Sequence, residues 1–218
     1  MKNMRVIVLL IFSIQLIACG GPVVTFEKPQ PEGKSNLTTI PKRLQGLYIC
    51  PSSNKQLEVT DKLIIETYEL VGKVSKLDSN IIIVGDSVTF KGDKFKCKAT
   101  IVGDSVIFKG KTDADTIFSI GNENVLRKCK GYYFLNNNSE NGWHVRKMFL
   151  KKGLLSISRI GTKEDIDKLK TLTEIKTDTM PYYNIQISKR KFKEYIRHGG
   201  FDENETYIKI KNAPQQAA

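Results

Sequence analysis

The amino-acid sequence predicts a mainly β protein, an antiparallel meander or barrel-like domain with two short helices in its C-terminal third. Three observations lead there. Between residues 44 and 145, short apolar or alternating runs are separated by Gly, Asp, Asn and Lys, with no sustained helical periodicity. A ten-residue segment recurs almost unchanged at a period of 18 residues. Apolar residues at helical spacing begin only after residue 162.

Taken in order, the chain opens with Lys2 and Arg5, an uncharged apolar stretch and a small-residue exit, the pattern of a secretory signal. Val6 to Ala18 is 13 uncharged residues, whereas a bilayer span needs roughly 20. Leu16-Ile17-Ala18-Cys19 resembles the lipobox of bacterial lipoproteins. The resemblance implies cleavage before Cys19, diacylation of its thiol and, because Gly20 rather than Asp follows, placement in the outer membrane. Residues 1–18 are thus expected to be a signal peptide and 19–41, rich in Gly, Pro and Lys, a lipidated flexible tether. Residues 42–211 are expected to form a single β-rich domain, because no linker-like stretch interrupts them. Residues 212–218 read as a loose tail. The body is faintly similar to small envelope lipoproteins of comparable size.

Within the domain, Ile83-Val84-Gly85-Asp86-Ser87-Val88-Thr89-Phe90-Lys91-Gly92 recurs as Ile101-Val102-Gly103-Asp104-Ser105-Val106-Ile107-Phe108-Lys109-Gly110. The repeat suits a strand-turn-strand unit with Gly-Asp as the turn. Further strands are expected at residues 115–120, 124–128, 131–135, 142–150 and 154–160, with a three-residue hairpin loop at Lys151-Lys152-Gly153. Thr162-Lys163-Glu164-Asp165 reads as a capping-box variant ahead of Ile166, Leu169 and Leu172. Ser188 similarly precedes a helix carrying Phe192, Tyr195 and Ile196 and closed by Gly199-Gly200. Strands are expected at residues 182–187 and 206–211.

Catalytic chemistry has little to build on. Gly85-Asp86-Ser87-Val88 and its copy at Gly103 resemble the nucleophile block of the GDSL-type esterases, which implies an α/β fold and an Asp-x-x-His partner for the serine. Asn141 and Tyr195 stand three residues before His144 and His198, the only histidines. One active site has no use for two copies of a nucleophile, so the blocks read as turns. His144, beside Arg146 and without an orienting partner, reads as a surface or satisfied residue. Cys50, Cys97 and Cys129 lack the spacing of a redox pair or zinc site. Cys97 shares an alternating apolar face with Phe95, Ala99 and Ile101. Asp113-Ala114-Asp115 and Asp202-Glu203-Asn204-Glu205 lack the spacing of a calcium loop. No metal and no cofactor is expected, and the chain is not expected to be an enzyme.

The basic residues are more informative. Lys+Arg 35 against Asp+Glu 23 gives a net charge of +12. Lys189, Arg190, Lys193 and Arg197 fall opposite Phe192, Tyr195 and Ile196, while Lys147, Lys151 and Lys152 add charge on a hairpin. Such charge suits nucleic acid, but export removes that partner and leaves anionic lipid headgroups, to which each cation contributes about 1 kcal/mol. The expected function is that of a non-catalytic, lipid-anchored envelope protein acting as an interaction or adaptor module. Its expected partners are the membrane, through Cys19, and an envelope protein or small amphipathic ligand. The alternative is a carrier. Gly46-Leu47-Tyr48 and Gly131-Tyr132-Tyr133 are similar to the strand openings of lipocalin-like barrels, which implies an interior holding an apolar or amphipathic small molecule. An unfilled interior would favour the carrier and a side-chain-filled one the adaptor.

Overall fold

The computed structural model describes residues 23–92, 96–121, 123–179 and 182–211. The expected signal at residues 1–18, the expected lipidation site Cys19 and the expected tail at 212–218 lie outside the described residues. The first strands are β1 (Val23–Phe26), β2 (Asn36–Leu37), β3 (Gly46–Cys50), β4 (Lys55–Val59) and β5 (Leu63–Ser75). The repeat region forms β6 (Ile81–Val84), β7 (Ser87–Phe90), β8 (Cys97–Val102) and β9 (Ser105–Lys111). Next come β10 (Asp115–Ser119), β11 (Val125–Cys129), β12 (Tyr132–Ser139), β13 (Gly142–Lys151) and β14 (Leu154–Arg159). The last third holds α1 (Lys163–Leu172), β15 (Ile175–Thr179), β16 (Tyr182–Ile185), α2 (Lys189–Arg197) and β17 (Glu203–Lys211). The protein is mainly antiparallel β, and the sheet is not closed into a barrel.

The chain divides into two compact units rather than one. The helical unit comprises the described residues up to Ser35, then Arg127–Lys147 and Ser158–Asn204; the β unit comprises Asn36–Leu126, Met148–Ile157 and the chain from Glu205. Of the five chain crossings, four fall inside β11, β13, β14 and β17, and the fifth lies between Ser35 and Asn36. Those four boundaries therefore carry no linker composition, whereas the fifth lies in the Gly-, Pro- and Lys-rich stretch.

In the helical unit, β1 pairs in parallel with β16, from Val23↔Tyr182 to Phe26↔Ile185, and meets β13 at Phe26↔Trp143. The β1–β16 pair is parallel within a mainly antiparallel sheet, and it makes Val23–Phe26 a strand within the stretch expected to be a tether. Phe26 is fully buried, Asn136 exchanges hydrogen bonds with the Gln30 backbone, and the Arg127 guanidinium donates to the Pro29 and Pro31 carbonyls. Both helices pack their apolar stripes into one core, where Phe192 meets Phe134 at 5.3 Å and Phe26 at 5.8 Å edge-on.

Helix ends follow the sequence closely. Thr162 and Ser188 cap α1 and α2, accepting from the Asp165 and Lys191 amides. After α2, Gly199 turns left-handed, with Gly199 N–H on Ile196 O and Gly200 N–H on Tyr195 O, a Schellman closure. Asp165 departs from a simple capping box. Its buried carboxylate accepts from the Gly161 amide, the Tyr195 hydroxyl and the Phe201 and Asp202 amides, joining α1 to the end of α2.

The β unit is a meander of β3, β4 and β5, with β10 on β5 and β17 on β3. Its interior is filled by side chains such as Tyr48, Leu57, Ile64, Phe118 and Tyr207, each at most 1% exposed. From Glu69 to Ser75, β5 pairs with β9, and the ladder continues through β8, β7 and β6 to form the repeat arm. Each repeat copy is a hairpin with a two-residue Gly-Asp turn, Gly85 at φ 59° and Gly103 at φ 60°, the glycine position of a II′ turn. Val88 and Phe90 share the inner face with Ile81, Cys97, Val106 and Phe108. Ala99 packs there too, whereas Ile101 is 45% exposed and Phe95 lies outside the described residues. The loop between β13 and β14 has two residues rather than three. Lys152 and Gly153 both have positive φ, as a I′ turn requires.

Candidate functional site

The predicted cationic face lies on α2. Phe192, Tyr195 and Ile196 are buried, and the opposite side carries Arg190, Lys193 and Arg197, spaced three and four residues apart so that they form one stripe. Arg190 and Arg197 are exposed and Lys193 half-exposed. Lys189 is partly committed, its Nζ donating to Gly33 O at 3.3 Å. Lys147 is not a surface charge. Its half-buried Nζ donates to Gly200 O at 2.8 Å and lies over the Phe201 ring at 5.4 Å, and burial lowers its pKa. A lysine stem long enough to run along apolar surface hides its position from strand alternation.

A second site lies on the other face of the sheet in the helical unit. Along β1 and β16, Val24, Phe26, Tyr183 and Ile185 join the helix-covered core, which turns Thr25, Tyr182 and Asn184 the other way. With Glu27, Glu140 and His144 they line a groove of about 680 Å³. Asn184 Nδ2 donates to Thr25 Oγ1 at 3.1 Å and Asn141 O at 3.0 Å. Gly142, at φ 111°, forms the close approach. A Cβ there would meet Phe26 O at 2.7 Å and Asn184 Nδ2 at 3.2 Å. His144 is held below the ordinary imidazole pKa by burial first and by Arg146 second, opposed by its hydrogen bond with the Val24 backbone. Arg146 lines a smaller hollow beside it, shared with His144. His144 is thus a satisfied residue, as expected, but one set in a groove that the sequence did not disclose.

The remaining titratable groups serve structure. In the β unit the Tyr207 hydroxyl donates to Glu205 at 2.8 Å and Glu66 at 3.2 Å, and Lys55 pairs with Glu205 at 2.6 Å. Burial pushes the Tyr207 and Tyr195 phenols far up. The acidic run at Asp202 is spent in pairs: Asp202 with Lys168, Glu203 with Arg159, Glu205 with Lys55. Cys50, Cys97 and Cys129 are buried, and among the described residues they form no disulfide. Burial pushes the Cys50 thiol up, and hydrogen bonds from Ser52 and Ser53 outweigh it, leaving it lowered. Ser87 Oγ bonds only its neighbour Asp86 at 3.3 Å among described hydrogen bonds. Among the described residues no three His, Cys, Asp or Glu side chains gather as a metal site, and no helix is long and apolar enough to cross a membrane. No protein-family model, curated protein or solved structure matches the chain.

Proposed function

We propose that the chain is a non-catalytic interaction module of the cell envelope, lipid-anchored to the outer membrane through Cys19, that meets anionic surfaces through α2. The observation that carries this reading is the α2 stripe. Arg190, Lys193 and Arg197 project from a helix that is capped at both ends and pinned by Phe192, so the charges are presented on a rigid support. Three cations at an anionic surface contribute about 3 kcal/mol, screened as salt rises. The side-chain-filled interior of the β unit supports an interaction module over a barrel carrier.

Co-sedimentation with vesicles tests the α2 face. The protein should pellet with phosphatidylglycerol-containing vesicles more than with purely zwitterionic ones, and R190A/K193A/R197A should lose about a hundredfold in affinity by the same cation arithmetic. Equal pelleting of variant and parent would refute the face. The anchor is tested separately. Cys19→Ala should abolish lipid labelling and release the protein from washed membranes, and retention of the variant there would refute anchoring through the thiol.

A further inference from the structure

We infer that the groove between β1, the β12–β13 turn and β16 binds an organic cation, a protonated amine or guanidinium group. This goes beyond the envelope reading and does not depend on it. The groove's volume, about 680 Å³, falls within the ~300–1,000 Å³ range of small-molecule sites. Its chemistry is selective because of how its hydrogen bonds are already spent. Asn184 uses Nδ2 on Thr25 and Asn141, so it offers a ligand its Oδ1. Thr25 directs its hydroxyl hydrogen toward Tyr183 O and receives Asn184, so it too is an acceptor. His144 lines the groove and donates one ring N–H to the Val24 backbone, which leaves the other nitrogen of its neutral form an acceptor.

Two carboxylates, Glu27 and Glu140, complete the lining, which contains neither Lys nor Arg. In a chain of net charge +12 the lining carries acidic but no basic side chains, with Arg146 beyond His144 in the adjoining hollow. Glu140 sits on the turn between β12 and β13 and makes no ion pair with the described residues. Tyr182, 57% exposed, supplies an aromatic wall of the kind that attracts cations. An acceptor-lined, acidic, aromatic-walled groove complements a donor-rich positive ligand and repels anions.

The cation could arrive as a free small amine or as a Lys or Arg side chain of an extended peptide. Titration calorimetry of the full chain with agmatine, which carries both ammonium and guanidinium, and with a blocked Gly-Arg-Gly peptide separates the sources. Saturable one-to-one binding of either supports the inference, and the tighter probe identifies the source. Glu140→Lys should weaken binding about tenfold or more by replacing attraction with repulsion, and Tyr182→Ala about threefold through the lost ring. Both positions are exposed, so melting temperatures should stay at the parent value. Absence of saturable binding to both probes, or binding indifferent to Glu140→Lys, would overturn the inference. Vesicle binding is read on other residues, so failure here leaves the α2 test standing.

Discussion

The helical unit and the repeat arm solve one problem in opposite ways. Each has a sheet with an apolar face to bury. The helical unit covers that face with α1 and α2, gathering Phe26, Phe134, Phe192 and Phe201 between layers. The arm has no helix and curls onto itself, Phe90 meeting Phe108 at 5.0 Å. It closes by leaving out side chains, for a Cβ on Gly72 would stand 2.4 Å from the Phe108 ring and one on Gly110 2.5 Å from Cys97 Sγ. The contrast teaches where repetition is spent. The duplicated segment supplies turns and a self-packed face, while the groove and the cationic stripe come from segments that occur once.

The largest expected effect breaks the helix-covered side. Asp165→Ala strands the Tyr195 hydroxyl and the Phe201 amide in the interior and takes the acceptor from the part-buried Asp202 amide, and losing such a buried acceptor costs about 3–5 kcal/mol. Urea unfolding followed through Trp143, the single tryptophan and part of the helical unit's core, should record that loss. An unchanged midpoint would mean the carboxylate does not tie α1 to α2.

Breaking the arm should cost less and stay local. Gly110→Ala forces a methyl onto the Cys97 backbone, an overpacking of about 1–3 kcal/mol. Hydrogen exchange should rise in residues 97–111 while Trp143 unfolding keeps its midpoint; a shift of both together would show that the two regions unfold as one.

Smaller still is the pH dependence centred on His144. Its folded-state pKa lies below the ordinary 6.5, so the unfolded chain binds more protons between the two values. The sign follows: the stabilisation is whole above pH 6.5 and declines as pH falls through that value toward the lowered one. His144→Gln should flatten this part of the stability profile of the helical unit, and an unaltered slope would assign it elsewhere. At the bottom of the scale, Ser87→Ala with Ser105→Ala, at the half-buried strand starts that follow the turns, should move stability by less than about 0.5 kcal/mol. A larger loss in thermal unfolding would show that the twin turns do more than reverse the chain.

Local signals were legible and long-range ones were not. Thr162 and Ser188 announce their caps, Gly199-Gly200 its closure and Gly-Asp its turns, because each rests on residues a few positions apart. Residues 115–160 were placed as strands to within a few positions. Val23 to Phe26 was absorbed into an expected tether because its partners, β13 and β16, lie about 120 to 160 residues away and leave no local signal. The groove was hidden for the same reason. Thr25, Glu140 and Asn184 meet only through the β1 registers, and the one local clue was Gly142 in a strand opening. Four of the five unit boundaries were illegible because they cut through strands rather than linkers.

The early start of β1 also sets a leash length. Cys19 and Val23 are four residue steps apart, about 14 Å even at full extension. A lipid on Cys19 would therefore hold β1, and the layers locked to it, close against the bilayer. The module would ride on the membrane like a boat on a short mooring, unable to sweep the surrounding space, and its reach would be limited to what comes to the surface.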